Sequence, residues 1–292
     1  MSTGPRREPP HSRRYHETAT QPELRLPAGD VTEGVVRVGD TVRRPHQPQS
    51  LAVAEYLDHL ERVGFPGSPR YLGRDDSGRD VLTFLPGHVP GDPVEPWATD
   101  ERLLTSVGRL LRALHTASAG FAADRGFAAP AGSTWRRDLV PVHLPAPEPQ
   151  PELVSHLDVT PQNVVVRDGE AVGLVDFDLA GPTTRLTDLY NTAMHWVPLC
   201  APEDLRPPWD VVDQLSRLRA LVDAYGATSG ERSSLLDLGI ARADVSWERM
   251  RASAEQLGGG WARMWRAGVG DMILRRKRWL VSRRAELAAA LV

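Results

Sequence analysis

The sequence predicts an α+β fold of two lobes, a small β-rich N-terminal lobe followed by a larger, mainly helical C-terminal lobe. Three observations carry this reading. Short apolar runs separated by turn residues crowd positions 34–87. From about Leu186 onward the apolar residues recur mainly at helical spacing, with breaks at Pro207-Pro208 and Gly258–Gly260. Between these regions lies one further hairpin, 164–175, bracketed by Asp158, Asn163 and Asp176.

Composition narrows the function classes. The chain has 292 residues, 41% hydrophobic and 25% charged, with a formal net charge of −3. That length allows one large domain or two small ones, and the apolar content is too high for a chain disordered throughout. A single cysteine, Cys200, rules out an intramolecular disulfide and argues against a cysteine zinc site. No apolar run approaches the roughly 18 residues of a membrane span, and the N-terminus lacks a secretory apolar core. The expected location is the cytoplasm, with no membrane partner. Near-neutral charge argues against nucleic acid as a partner. Of 35 basic residues only Lys277 is lysine, so any step that ordinarily uses lysine must use Lys277 or an arginine.

The elements follow in order. Residues 1–27, rich in proline and arginine, are expected to form a disordered tail. In GVVRVGDTVRR (34–44), Gly39-Asp40 supplies the turn of a hairpin, and Pro45 stops its second strand. Ser50 is expected to cap a helix with Leu51, Ala54, Leu57 and Leu60 on one face and Gly64 at its end. Tyr71-Leu72 and Asp80–Leu85 form two more strands about the Asp75–Gly78 turn. A second helix opens near Thr99, with a broad stripe of Leu103, Leu104, Val107, Leu110, Leu111 and Leu114 that predicts burial. Residues 141–151 hold five prolines and form a stiff linker. The domain boundaries are an N-lobe over 28–87 and a C-lobe over 88–292.

The chemistry concentrates in HLDVTPQNVVVRDGEAVGLVDFD, His156 to Asp178. The runs Val164–Val166 and Val172–Val175 pair across the turn 167–170, which brings Asn163 and Asp176 side by side at the hairpin's open end. Asp158 sits on the loop leading in. An amide carbonyl and two carboxylates converging there make a hard oxygen site of the kind Mg2+ prefers, shared with water and substrate phosphates. The spacing matches the phosphoryl-transfer template, a catalytic Asp, a metal-binding Asn five residues on, then the Asp of a DFG-like turn.

This stretch resembles the H-x-D-x-x-x-x-N variant of the aminoglycoside phosphotransferase and choline kinase family, and Asp188 in RLTDLY resembles its downstream structural Asp. The resemblance implies a protein-kinase-like fold and an ATP- and Mg2+-dependent kinase acting on a small-molecule acceptor with a free hydroxyl, as a monomer or homodimer. It assigns Asp158 to the acceptor proton, Asn163 and Asp176 to magnesium, and His156 and Asp188 to the scaffold. It sets Thr83 and Leu85, in LTFLPG, against the adenine edge, and Gly29 and Gly34 beside a phosphate loop. The family's role in antibiotic resistance makes an antibiotic or other natural product a candidate acceptor. The alternative from another class is a nucleotide-binding pseudokinase.

The chain departs from the family at three points. The anchoring lysine is absent, and the matching strand reads Thr41-Val42-Arg43-Arg44, in which period two lets only one arginine face the nucleotide. The register favours Arg43, with Arg44 as the alternative. The helix glutamate that should pair with it is also displaced, since Glu55 is the nearest candidate but the family position falls closer to Val53. The DFG-like turn ends in Asp178 in place of glycine. In the acceptor lobe, residues 191–292 hold 12 acidic and 15 basic side chains, so no acidic pocket for a polycationic aminoglycoside is indicated. Six of the eight tryptophans lie there, either as core packing or as an aromatic wall.

Overall fold

The computed structural model describes residues 9, 12–16, 21–26, 34–140, 142 and 149–292. The expected linker at 141–151 lies mostly outside these residues.

The first lobe is one antiparallel sheet backed by a helix. Strands β1 (Leu24–Arg25), β2 (Val36–Val38), β3 (Thr41–Arg44), β4 (Tyr71–Arg74) and β5 (Asp80–Thr83) run in the order β1-β2-β3-β5-β4. The β2–β3 turn needs Gly39, whose φ of +56° a side chain would strain. Helix α1 (Ser50–Arg62) lies between β3 and β4 in the chain and buries Ala52, Val53, Tyr56, Leu57 and Leu60. Ser50 is not its cap. It is the first helical residue, and its hydroxyl turns back to accept the Gln47 N–H at 2.9 Å.

The tail expected over 1–27 is held wherever it is described. Leu24-Arg25 pairs with Arg37 and Val36 as a sheet strand. Farther upstream, the Tyr15 N–H donates to the Arg74 carbonyl (2.7 Å), and the Arg74 N–H to Arg13 (3.1 Å). The Arg13 guanidinium reaches Asp58 of α1, Nη1 to Oδ1 2.8 Å, with both side chains largely buried. A buried carboxylate and an open sheet edge therefore fix residues that composition marks as disordered.

The second lobe is built around α2 (Glu101–Arg125), whose Leu103, Leu104, Val107, Leu111 and Leu114 are at most 1% exposed. Asp100 caps it, accepting the Arg102 N–H at 2.7 Å. Against α2 pack β6 (Leu153–Ser155), β8 (Glu170–Leu174) and α4 (Gln214–Tyr225). Strand β7 (Val164–Arg167) forms the expected hairpin with β8, turning through Asp168 and Gly169 at positive φ. Strand β9 (Gly181–Thr183), unexpected from its sequence GPT, pairs with β6. The remainder is helical: α3 (Arg185–Trp196), α5 (Ser229–Gln256), α6 (Gly259–Arg266), α7 (Val269–Ser282) and α8 (Arg284–Ala290). The tryptophans divide. Trp196, Trp209 and Trp279 are core, whereas Trp247, Trp261 and Trp265 are half-buried on α5 and α6.

Candidate active site

The β7–β8 hairpin sets the geometry. Val164 faces Leu174, and the Val175 N–H donates to the Asn163 carbonyl at 2.9 Å, so Asn163 and Asp176 leave the open end as neighbours. Asn163 Nδ2 donates twice to Asp158, to its carbonyl (2.9 Å) and to Oδ2 (2.8 Å). With its amide hydrogens so engaged, Asn163 offers Oδ1 as an acceptor. Two residues here carry backbone conformations rare for side chains other than glycine, Leu157 at φ +66° and Asp176 at φ +59°. Such strain persists only where the surroundings enforce it, and it gathers at functional sites.

Those surroundings are a buried polar scaffold. His156 donates from Nε2 to the Val175 carbonyl (2.9 Å) and accepts the Asp158 N–H on Nδ1 (3.2 Å), which defines its tautomer. Its ring meets Phe177 edge-on at 4.5 Å, and burial pulls its pKa down, so it stays neutral. Below it Asp188, fully buried, accepts from Ser155 (2.5 Å) and His115 (3.2 Å). Burial pushes the Asp188 carboxyl up, but the hydrogen bond and charge of His115 and the hydrogen bond from Ser155 outweigh it and leave it depressed. His115, in the body of α2, is thus a packed structural residue that joins Asp188 to the Tyr225 hydroxyl at 2.8 Å.

Across the cleft the structure corrects the arginine assignment. Arg44, not Arg43, faces Asp176 and Asp178. Arg44 Nη2 lies 3.3 Å from Asp176 Oδ1 and pairs closely with Asp178. Burial lowers the Arg44 pKa, but Asp178, Asp176 and Asp80 outweigh that and raise it. Arg43 points through the other sheet face, where it donates to Thr41 Oγ1, sits 3.6 Å from Asp75 and stacks 4.7 Å from the Tyr15 ring. The physical reason is the strand period: Val42 and Arg44 share the face that meets α1 and the cleft, while Thr41 and Arg43 share the one covered by the N-terminal segment. Val53, Ala54 and Leu57 of α1 line the recess with Arg44, and Glu55 is not among the lining residues. Asp178, in the position of a turn glycine, is a carboxylate partner of Arg44.

Thr83 closes β5, its N–H bonded to the Arg70 carbonyl (3.0 Å). Leu85 packs on the hairpin: a Cβ at Gly173 would stand 3.0 Å from its Cδ1. His88 and Val166 exchange backbone bonds of 2.9 and 2.7 Å, so the segment joining the lobes lies along the β7–β8 hairpin. Gly34 is described, with φ +81°, whereas Gly29 lies outside the described residues. Among the described residues no three His, Cys, Asp or Glu side chains form a metal cage. Magnesium ordinarily takes one or two protein oxygens and completes its shell with water and phosphate. Asn163 Oδ1 and Asp176 are the oxygens available for it.

The site can be set against known proteins. The family model described as "Phosphotransferase enzyme family" matches residues 23–140 and 125–228. The trifolitoxin immunity protein of Rhizobium leguminosarum bv. trifolii is 30% identical over 291 residues, covering 92% of this chain and 98% of its own. A choline/ethanolamine kinase family protein from Mesorhizobium loti superposes with a TM-score of 0.55 at 20% identity, over 93% of this chain and 92% of that one. An ethanolamine kinase from Plasmodium vivax does so with a TM-score of 0.53 at 10% identity, over 93% and 83%. At these identities the two structures share the two-lobed kinase-like fold.

Proposed function

The chain belongs to the phosphotransferase enzyme family of small-molecule kinases, and within it we propose an ATP- and Mg2+-dependent O-phosphotransferase acting on a small-molecule hydroxyl. The observation that carries this is the convergence of Asp158, Asn163 and Asp176 at one hairpin mouth, with Arg44 facing them across the cleft. Asp158 orients the acceptor hydroxyl and takes its proton. The hydroxyl oxygen bonds the γ-phosphorus as the bridging P–O bond to ADP breaks, and ADP leaves with that electron pair. Asn163 and Asp176 would hold magnesium, which would supply charge neutralisation at the phosphates. Arg44 replaces the missing lysine as the phosphate anchor, with a planar fork in place of a point charge. Thr83 and Leu85 face the adenine edge. The immunity protein's name supports inactivation of a toxin or antibiotic as the physiological setting.

Labelled ATP with a panel of hydroxylated metabolites and antibiotics tests the reading. Gain of one phosphate on an acceptor, lost in Asp158→Asn, is the expected result. Nucleotide binding with no consumption of ATP under any acceptor would favour the pseudokinase alternative.

A further inference from the structure

Two consecutive arginines on α7 meet different surroundings. Arg275 is matched: its Nε lies 3.0 Å from Asp204 Oδ2, and that carboxylate is 5% exposed. Arg276 is not. Among the described residues no carboxylate pairs with its guanidinium, its hydrogen bond is to Met194 Sδ at 3.2 Å, and its Nε is buried without an acceptor. A thioether is a weak acceptor, and a guanidinium carries five N–H donors. Taking such a cation partly out of water is costly unless an anion meets it.

The position of Arg276 gives this meaning. Met194 and His195 form the last turn of α3, and the next residue, Trp196, donates its indole N–H to the Val159 carbonyl at 2.9 Å. Val159 adjoins Asp158. Arg217 secures the same turn by two bonds to the Trp196 carbonyl, 3.0 and 2.8 Å. Arg276 therefore rests on the helix end that supports the catalytic loop. Arg44, at the nucleotide side, is on the other lobe. The neighbours of Arg276 include Met194, His195, Tyr190 and Cys200; the acids that also reach Cys200 are Asp204, which is taken by Arg275, and Glu203, and among the described residues neither ion-pairs with Arg276, while Arg242 of α5 adds further positive potential at Tyr190. His195 is held neutral there.

We propose that Arg276 is the anion-recognition residue of the acceptor subsite, and that the hydroxyl compound phosphorylated here carries a carboxylate. The proposal rests on the kinase reading above and specifies its substrate class. The planar guanidinium fork matches a carboxylate bidentately, and the same positive potential disfavours polycationic acceptors.

Matched pairs test it: glycerate against glycerol, and 4-(hydroxymethyl)benzoate against its amide, each assayed for phosphorylation and, with a non-hydrolysable ATP analogue and Mg2+ bound, for binding by calorimetry. The wild-type protein is expected to favour the acids at least about tenfold. Arg276→Gln should erase that preference chiefly by raising KM for the acids, roughly ten- to a hundredfold, with kcat falling much less than KM rises. Arg276→Lys should restore part of it. Should Arg276→Gln fail to fold, Arg276→Met, which keeps an apolar stem against Met194, carries the same comparison. Equal use of acid and neutral partner by wild type, a preference that survives in Arg276→Gln, or failure of any acid to bind the nucleotide-loaded protein would overturn the proposal. A wild-type protein that does not bind Mg-ATP would instead overturn the kinase reading.

Discussion

Replacing Arg44 by alanine should do more to nucleotide binding than any other change in the first lobe. The Arg44 side chain is 11% exposed and lies between Asp176, at 3.3 Å, and Asp178. Its loss removes one charge-assisted contact to phosphate, about 1.5–3 kcal/mol, and so roughly a ten- to hundredfold rise in Kd. It also leaves two carboxylates unneutralised where an anionic ligand must enter, which adds to the loss. Asp176 is 37% exposed, so solvent screens part of that repulsion, and folding stability should fall by only about 1–2 kcal/mol. Asp178→Asn, introduced into Arg44→Ala, removes one of the orphaned charges and should recover part of the affinity. Such coupling is expected only of residues that interact directly. Arg43→Ala serves as the control. It opens a hole under Tyr15 and takes from Asp75 one of its two arginine partners, so it should lower the melting temperature while changing nucleotide Kd less than about threefold, under ~1 kcal/mol. Calorimetric titration with Mg-ATP and thermal melts of the wild type, Arg43→Ala, Arg44→Ala, Asp178→Asn and the Arg44→Ala/Asp178→Asn double variant decide the matter. A larger nucleotide effect from Arg43→Ala, or additivity of Arg44→Ala with Asp178→Asn, would refute the reasoning.

Asp158→Asn should cut turnover by roughly two to four orders of magnitude with ATP affinity changed less than about fivefold, since a proton-orienting carboxylate acts mainly in the transition state; a stable variant with full activity contradicts its role. Asp176→Asn should leave the fold intact and weaken nucleotide binding chiefly when Mg2+ is present, which titration with and without the ion resolves. Burial, with Arg276 beside it, pulls the His195 pKa down to about 4. The unfolded chain therefore binds this proton below pH ~6.5 while the folded one does not, and stability should decline by about 1–3 kcal/mol as pH falls from ~6.5 to 4. In His195→Gln, melts across that window should lose this part of the slope. Gly239→Ala should destabilise by about 1–3 kcal/mol, because its Cβ would stand 2.2 Å from the Tyr190 ring; an unchanged melting temperature would mean α5 can shift away.

What the residues disclose unaided depends on how local the cause is. The α2 stripe, the Gly39 turn and the 164–175 hairpin follow from periodicity and turn chemistry within a dozen residues, and each is present. The convergence of Asp158, Asn163 and Asp176 is legible because a hairpin converts sequence spacing into proximity. Arg43 and Arg44 show the limit. Alternation says that one arginine faces the cleft, but which one depends on α1 and on a Tyr15 that lies far away in sequence. The docking of Arg13 on Asp58, 45 positions apart, has no periodic signature at all. Strand β9 was hidden for a similar reason, since Gly-Pro-Thr has little strand propensity and is held by its partner β6. Arg276 could have been noted as part of the run 275–278, but a run of like charge gives no hint that one member lacks a counterion.

The pairing of β6 with β9 has a bearing on how this centre is made and kept. Leu153 faces Thr183 and Ser155 faces Gly181, so the two strands clamp the ends of residues 156–180. Everything from His156 to Asp178 then belongs to one short closed circuit of chain, knotted at its base by Ser155 on Asp188. A circuit of this size closes at modest entropic expense and can nucleate before distant helices have assembled. It should behave as a single cooperative foldon, with amides from 153 to 183 exchanging together and apart from those of α5–α8. Such a self-contained insert lets the outer helices vary, and with them the compounds admitted, without dismantling the machinery that moves the phosphate.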